Sequence, residues 1–266
     1  MTNKYMNNKS IRNRKNYNMV NYNMVNYIRS SIFILLVLFT NICFAQVWTD
    51  RQISNEKILK KSYITIGYNT KYNIPNYVGE VLTYNMTKGS ACRSSRFFID
   101  ESLHGYNRIT TYMYNNSGYD RGHCAPAADF SFNQVAMNES FLMSNICPQT
   151  STLNRKCWKN VEEYVRSLTQ KCDTLYIITG TIGNIGYINN QIGIPKKIYK
   201  AVIGVKSSKI ILSIGFIYDN DNSNQSIAHN KCTIDRIKFL INRNLFFFLE
   251  NRYSDVNRSE SKIMIP

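Results

Sequence analysis

Alternating apolar and polar residues predict two early strands in this chain. Residues 63–69 (YITIGYN) and residues 77–84 (YVGEVLTY) both have the period-two pattern of strands with one buried face. The IPN sequence at 74–76 lies between them and predicts a turn. Residues 46–62 are mostly polar and predict a loosely held N-terminal arm. We therefore expect the folded domain to begin at about residue 63.

Two helices and three more strands are predicted farther along the chain. Residues 151–168 carry apolar side chains at helical spacing, with Ser151 or Thr152 as an N-cap. The remaining elements are an apolar strand at 174–181, a hairpin of 198–205 and 209–218, and an amphipathic helix at 233–242. With no break in composition, this order favours a single α+β domain. We expect a central antiparallel sheet flanked by helices over 63–250, and a C-terminal tail at 251–266.

The segment 86–118 stands apart from these elements. It is rich in Ser, Asn, Gly and charged residues and predicts a long loop. A loop of this length inside a compact domain is usually functional or disordered.

The charge of the chain favours an anionic partner. Among its 266 residues are 33 Lys and Arg against 17 Asp and Glu, for a formal net charge of +16. Residues 1–45 hold six of the bases and no acid, so the remainder keeps 27 bases against 17 acids. Such an excess favours nucleic acid or an anionic surface as partner, and a merely basic soluble surface is the alternative.

The N-terminal 45 residues have the features of an export signal. An apolar run at 31–40 follows Arg29 and closes on Cys43-Phe-Ala45, with small residues at the −3 and −1 positions. We expect a signal peptide with a long basic leader, cut after Ala45, and a secreted or periplasmic protein with no stable membrane partner. The apolar run is short for a membrane span, so an uncleaved anchor is the alternative. The leader repeats NYNMV, and a start at Met24 would give one of ordinary length.

Six cysteines remain after the predicted cleavage. Six cysteines allow 15 disulfide pairings, and the sequence does not choose among them. No CxxC pair occurs, which argues against a zinc cluster.

The sequence DRGH at 120–123 is the first candidate for chemistry. It holds His123, one of three histidines in the chain, two residues after Arg121. Imidazole is the usual general base near neutral pH, and the guanidinium fork suits phosphate oxygens. Hydrolysis of a phosphodiester needs such a base together with cationic or metal stabilisation of the phosphoryl group. A structural or merely exposed histidine is the alternative.

The predicted helix at 151–168 supplies a candidate metal site. Asn154, Glu162 and Arg166 are spaced i, i+8 and i+12, which turns all three towards one side of a helix. The amide and carboxylate oxygens are hard donors suited to Mg²⁺. The alternative is a capped surface helix with an i, i+4 pair of Glu162 and Arg166.

Taken together, these segments resemble a known family. SGYDRGHCAPAADF at 117–130, followed by FLMSNICPQTSTLNRKCWKNVEEYVRSL at 141–168, is similar to the signature of the DNA/RNA non-specific endonucleases, which are ββα-metal nucleases. The resemblance continues upstream through Arg93–Asp100 and covers about residues 60–250. It implies a ββα-metal motif in which His123 lies on a strand and Asn154 on the helix that crosses it.

The resemblance also implies roles for individual residues. His123 would be the general base, and Asn154 the direct ligand of Mg²⁺, with Mn²⁺ as a substitute. Arg93 would contact the scissile phosphate, and Glu162 would orient metal-bound waters. The substrate-binding set would be Arg121, Arg166 and Asn145. Asp120 would be a structural hydrogen-bonding partner rather than a base.

Two cysteines depart from the family pattern. Cys124 follows the expected base, where the family usually has an aliphatic residue, and Cys147 lies in SNICPQ. Both fit buried small hydrophobic positions. A disulfide involving either residue, which would make activity depend on redox state, is the alternative.

The implied function is an exported, Mg²⁺-dependent endonuclease that cuts DNA and RNA and leaves 5′-phosphate ends. Two alternatives stay open. One is a nuclease-like module that binds nucleic acid without cutting it, and the other is a phosphodiesterase of small nucleotides. The preference between DNA and RNA is not determined by the sequence. The oligomeric state, a homodimer included, is also open.

Overall fold

An antiparallel sheet of seven strands forms the centre of the fold. This computed structural model describes residues 48–250, 252–253 and 255–266. The strand order is β1-β2-β3-β6-β9-β10-β11, and every neighbouring pair is antiparallel. The strands are β1 Glu56–Lys60, β2 Ile64–Asn69, β3 Ile74–Leu82, β6 Thr174–Ile182, β9 Lys197–Lys206, β10 Lys209–Asp219 and β11 Lys231–Cys232. The predicted α+β class with a central antiparallel sheet is confirmed.

Shorter elements surround this sheet. The described residues contain two small strand pairs, β4 Asp120–His123 with β5 Ile146–Gln149 and β7 Tyr187–Ile188 with β8 Ile192–Gly193. The α-helices are α1 Gln134–Ser140, α2 Lys159–Ser167, α3 Ile227–Asn230, α4 Ile234–Ile241 and α5 Val256–Glu260. A π-helical segment at Leu153–Trp158 leads directly into α2. The predicted cap at Ser151 or Thr152 is wrong, because residues 151–152 are already helical and Thr152 makes no side-chain cap hydrogen bond.

Both faces of the sheet are covered. On one face Val78, Ile177 and Val202 pack in a core cluster with Trp158 and Val161 from the helical segment. A second cluster covers the opposite face with residues of α4 and of the chain after it. Burial on two sides explains why the middle strands are apolar at nearly every position, without alternation.

The N-terminal segment 46–62 differs from the loosely held arm predicted for it. Its described part contains β1, which pairs with β2 over five residues. Trp48 is 3% exposed and stacks edge-on against Phe248, with ring centroids 4.9 Å apart. The polar composition is compatible with an edge strand, which has only one paired side.

The predicted turn at 74–76 is also wrong. These residues open β3, and the chain reverses at 70–73, where Asn73 has a φ of 55°. Pro75 is tolerated because it lies next to a bulge in the β2–β3 pairing, close to the start of the strand.

The described part of the C-terminal segment 251–266 packs on the domain. Met264 forms a β-bridge with Ser213 of β10, and Glu260, which is fully buried, accepts a hydrogen bond from Lys238 at 2.7 Å. Within the described residues, no helix is long and apolar enough to cross a membrane. The predicted signal peptide at 1–45 lies outside the described residues.

Candidate active site

Strands β4 and β5 and the helical segment after them form a continuous ββα unit. In the β4–β5 pair, His123 lies opposite Ile146 and Asp120 lies opposite Gln149. The chain turns into the helix immediately after β5, and the backbone N–H of Asn154 donates to the carbonyl of Thr150 at 2.9 Å. This connection brings the histidine on the strand and the asparagine on the helix to one cleft.

The glycine of DRGH is required by close packing between the two strands. A Cβ on Gly122 would lie 2.1 Å from the side-chain amide carbon of Gln149. Gln149 is fully buried. The glycine therefore sets the close approach of β5 to the strand that carries His123.

The cleft has a volume of about 390 Å³ and is strongly polar. Its polar lining residues are Arg93, Arg121, His123, Asn154, Lys159, Glu162, Glu163 and Arg166, and its apolar ones are Phe97, Pro126, Ala127 and Ala128. Six of the seven residues predicted for the site thus line one cavity. The seventh, Asn145, does not.

His123 lies in an aromatic pocket at the edge of the cleft. Its ring is 5.3 Å from the Phe97 ring and 4.9 Å from that of Phe141, the latter in an edge-on arrangement. Nε2 is buried and has no hydrogen-bond partner among the described residues. Burial, and then the charge of Arg93, lower the pKa of His123 to about 3. The imidazole is therefore neutral at physiological pH, the state that a general base requires.

A carboxylate fixes the orientation of the Asn154 amide. The side-chain nitrogen of Asn154 donates to Oδ2 of Asp120 at 2.9 Å. Asp120 also accepts two hydrogen bonds from Arg155, at 2.8 and 2.7 Å, and these are the main reason why its pKa is lowered. A carboxylate accepts hydrogen bonds and does not donate them, so it selects the amide nitrogen and leaves the amide oxygen available as a donor atom for a cation.

Glu162 lies on α2, near the charged side chains of Lys200, Asp129 and Arg166. Burial raises the pKa of Glu162 to about 7, while the positive charge of Lys200 opposes this effect. Glu162 forms no ion pair with Arg166, so the i, i+4 surface pair considered from the sequence is absent from the described residues. Arg166 instead donates from Nε to Oδ1 of the buried Asp129 at 2.5 Å.

The three arginines of the cleft are held in different ways. The guanidinium of Arg93 lies 5.1 Å from the centre of the Phe141 ring and forms no ion pair among the described residues. Arg121 lies 5.6 Å from the Phe97 ring and donates to the carbonyl of Thr111 at 3.2 Å. Arg166 is fixed by Asp129. Aromatic rings and carbonyls do not neutralise the positive charge of a guanidinium. Arg93 and Arg121 can therefore both bind an anion.

Asn145, which was predicted to bind substrate, lies outside the lining of the cleft. Asn145 is 0% exposed, and its side chain is fully engaged by the backbone. Its oxygen accepts from the N–H of Ala125 at 3.0 Å, and its nitrogen donates to the carbonyls of Ala125 and Ser140 at 2.9 and 2.8 Å. Asn145 thus anchors the turn that follows His123.

Both unusual cysteines are buried beneath this turn. Cys124 and Cys147 are 0% exposed, with their Sγ atoms 4.0 Å apart, and both belong to the main core cluster. Each occupies a buried small hydrophobic position, as predicted. All six cysteines of the described residues are free thiols in this structure.

Several residues of the site were given no role by the sequence analysis. Phe97 and Phe141 shape the histidine pocket, and Lys159 adds a positive charge to the cleft. Asp129 lies in the SGYDRGHCAPAADF segment, yet only the fold shows that it meets Arg166 across the motif. A single carboxylate within a run of small apolar residues is the sequence feature that could have indicated it.

The residues of the cleft fit a hydrated divalent cation. No group of three or more His, Cys, Asp or Glu side chains that could enclose a metal exists in the described part of the chain. The donor set consists of the oriented amide oxygen of Asn154 and the carboxyl of Glu162. Mg²⁺ commonly keeps several waters and takes one or two protein oxygens, so this sparse set suits it.

The strand-borne neutral histidine, the helix-borne asparagine and the surrounding arginines have the arrangement expected of a ββα-metal nuclease. The family model described as DNA/RNA non-specific endonuclease matches residues 49–250. The chain is 31% identical over 219 residues to a nuclease of Nostoc sp., a match that covers 77% of this chain and 78% of the relative.

Other relatives match over shorter segments. The chain is 42% identical over 107 residues to mitochondrial endonuclease G of Bos taurus, covering 40% of this chain and 36% of the relative. A solved structure of an EndoG/EndoGI complex, which addresses EndoG inhibition, superposes with a TM-score of 0.64 at 26% identity. That match covers 71% of this chain and 85% of the EndoG chain. The protein belongs to the DNA/RNA non-specific endonuclease family, and its relatives are nucleases.

Proposed function

We propose that this protein is an exported, Mg²⁺-dependent endonuclease that hydrolyses the phosphodiester bonds of both DNA and RNA and leaves 5′-phosphate ends. The observation that carries the proposal is the meeting of His123 and Asn154 in one cleft bordered by Arg93, Arg121 and Arg166. Mn²⁺ is expected to substitute for Mg²⁺. The basic excess of the chain after residue 45 is consistent with a polyanionic substrate.

His123 is the general base in this scheme. Since Nε2 is buried, Nδ1 is the nitrogen available to a water molecule in the cleft. The neutral imidazole takes a proton from that water as it attacks phosphorus. The phosphate of a bound substrate adds negative charge near the ring, which favours the imidazolium that forms.

Asn154 and Glu162 hold the metal side of the site. Asn154 would provide its amide oxygen as the direct ligand, and Glu162 would accept hydrogen bonds from waters on the cation. When bound, the metal ion supplies Lewis-acid stabilisation of the phosphoryl group and the leaving oxygen. Asp120 keeps the amide of Asn154 in the required orientation throughout.

The arginines bind the phosphodiester backbone. Arg93, which lacks an ion-pair partner among the described residues, contacts the scissile phosphate, and Arg121 and Arg166 border the path of the substrate. Contacts to phosphates do not distinguish bases, so the sequence preference should be weak and the affinity should fall steeply with salt concentration. The bidentate fork of arginine suits such contacts.

Export rests on the sequence of residues 1–45. A positive flank, an apolar core and small residues before position 46 support a signal peptide and a secreted or periplasmic mature chain. N-terminal sequencing of the protein recovered from the producing cells would test this part, with Gln46 as the expected first residue. A retained N-terminus would favour the anchored alternative.

A substrate panel tests the proposed reaction. Plasmid, single-stranded DNA, RNA and a small aryl phosphodiester should be incubated with the protein and Mg²⁺, and the ends of the nucleic-acid products analysed. The proposal predicts cleavage of all three nucleic acids with 5′-phosphate ends. Hydrolysis of the aryl diester alone would favour the phosphodiesterase alternative, and binding without cleavage would favour the non-catalytic module.

A further inference from the structure

A side groove opens directly from the catalytic cleft. It has a volume of about 410 Å³. The lining residues that it shares with the cleft are Phe97, Arg121 and Asn154. The groove is also lined by Tyr119 and by Asn115 and Asn116, which lie near the end of the long loop predicted over 86–118. The scheme proposed above gives none of these last three residues a role.

The turn that leads to the two asparagines is fixed to the rest of the fold. It is a 3₁₀ turn at Thr111–Tyr114, immediately before Asn115. Arg121 donates to the carbonyl of its first residue at 3.2 Å, and the side chain of Asn189 donates to the carbonyl of its third residue at 2.9 Å. Tyr114, its last residue, is 3% exposed and belongs to the main core cluster. The groove is therefore formed before a ligand binds, so little conformational entropy is lost on binding.

The side-chain amides of Asn115 and Asn116 are available to a ligand. Both residues are exposed, and neither side chain forms a hydrogen bond with another described residue. Asn116 has a φ of 54°, a left-handed conformation that asparagine tolerates. An amide offers both donors and an acceptor, and the edges of nucleobases carry the complementary groups.

Tyr119 and Arg121 complete the chemistry of the groove. Tyr119 is half-buried, because part of its side chain packs against the main core cluster while another part lines the groove. An aromatic side chain can stack with any base, since every base has a π face. Arg121 lines both the groove and the cleft, so its guanidinium can bind a phosphate that lies between the two spaces.

We propose that the side groove is a nucleobase subsite that takes one unpaired base next to the scissile phosphate. The base stacks on Tyr119, and its edge meets the amides of Asn115 and Asn116. The proposal rests on the function proposed above and deepens it by naming single-stranded nucleic acid as the preferred class of substrate. A base in a duplex is stacked and paired, and its extrusion costs free energy that a single strand does not have to supply.

The first test uses the wild-type protein and needs no variant. An end-labelled single-stranded oligonucleotide is cut in the presence of Mg²⁺, and kcat/KM at one bond is read from the labelled fragments. Abasic nucleotides are then placed one at a time at each position around that bond. Loss of the base at one flanking position should lower kcat/KM by about 5–100-fold, the usual contribution of one stacked base. Equal cleavage of all the abasic strands would overturn the proposal.

The second test assigns the base to Tyr119. Tyr119→Ala should cut the intact single strand about 5–100-fold less efficiently and leave duplex cleavage near the wild-type rate. The abasic substitution should then cost nothing further, because the base and the ring form one interaction. Tyr119→Phe keeps the ring and should behave as the wild type. Asn107→Ala, exposed in the same loop and outside the groove, is the matched control.

A double variant, Asn115→Ala with Asn116→Gly, keeps the packing of Tyr119 and decides the question if Tyr119→Ala does not fold. It should reduce the abasic penalty, because the contacts to the base edge are lost. An abasic penalty that stays at the wild-type size in both Tyr119→Ala and the double variant would refute the subsite. A wild type that cuts no intact strand would instead refute the proposed function.

Discussion

The side-chain amide nitrogen of Asn154 donates a hydrogen bond to the carboxylate of Asp120 at 2.9 Å. This bond joins the first residue of DRGH to the helical segment that carries the candidate metal ligand. Its consequence is chemical as well as structural. An amide has one donor end and one acceptor end, and Asp120 occupies the donor end. The amide oxygen therefore stays available for a cation in the cleft.

Replacing Asp120 with Ala should weaken the response to metal more than it weakens the fold. Without the carboxylate, the Asn154 amide is free to rotate, and loss of such an orienting partner typically costs about 10–100-fold in metal affinity. The measurement is the Mg²⁺ concentration that gives half-maximal cleavage. Arg155→Ala is the control, because it removes the exposed partner of Asp120 and leaves the bond to Asn154. An unchanged Mg²⁺ requirement in Asp120→Ala would show that Asp120 does not orient the ligand.

Arg93 and Arg96 offer a matched pair of substitutions. Both are exposed arginines over aromatic rings, at 5.1 Å from Phe141 and 5.6 Å from Phe98, but only Arg93 lines the cleft. Arg93→Ala should reduce kcat by about 100-fold, the usual cost of losing one group that stabilises charge in the transition state. Arg96→Ala should leave kcat near the wild-type value. Equal losses in the two variants would indicate a general effect of positive charge.

Asn145→Ala should act on stability. The side chain of Asn145 makes three hydrogen bonds to buried backbone, and its loss should destabilise the protein by about 2–4 kcal/mol. Asn160→Ala, exposed on the same helix as the metal-side residues, should change the free energy of unfolding by less than about 0.5 kcal/mol. Denaturant unfolding measures both. A raised KM with unchanged stability would restore the substrate-binding role that the sequence suggested.

Asp100 should contribute a part of the free energy of unfolding that is lost at acidic pH. Burial raises the pKa of this carboxyl, but hydrogen bonds from Lys61, Ser102 and Ser144 outweigh burial and leave the pKa lowered. A lowered carboxyl pKa stabilises the fold above the ordinary value of about 4, and this contribution is lost as pH falls. Asp100→Asn should therefore cost about 1–3 kcal/mol at pH 7, and the difference from wild type should shrink below pH 4.

Unfolding curves at pH 7 and at pH 3 check this prediction. Glu101→Gln, a neighbouring exposed carboxyl, should show almost no difference at either pH. A difference between Asp100→Asn and wild type that stays constant with pH would mean that the carboxyl is not held in its ionised form.

The sequence predicted the elements of the sheet and helices better than it predicted their ends. The apolar period over 233–242 predicted α4, Ile234–Ile241, because helical spacing is a local property. The arm at 46–62 was expected to be loosely held because its composition is polar, but an edge strand can be polar too. The burial of Trp48 depends on Phe248, which lies 200 positions away in the sequence.

The candidate site shows a similar division. His123, Asn154 and Glu162 were found because their residue types and order carry the family signature. Asn145 matched that signature too, but residue type alone does not show whether an amide faces the cleft or the backbone. The bonds of Asp120 with Asn154 and of Asp129 with Arg166 join residues 34 and 37 positions apart, and only the fold brings them together.

Plasmid nicking by the wild type and by His123→Ala, each with Mg²⁺ and with EDTA, tests the central claim most directly. The account predicts nicking by the wild type that EDTA abolishes. His123→Ala should be slower by a factor of about 10²–10⁴ and should still bind the plasmid in a mobility-shift assay. A wild type that fails to cut with either Mg²⁺ or Mn²⁺, cutting that survives EDTA, or a His123→Ala variant that cuts at the wild-type rate would contradict it.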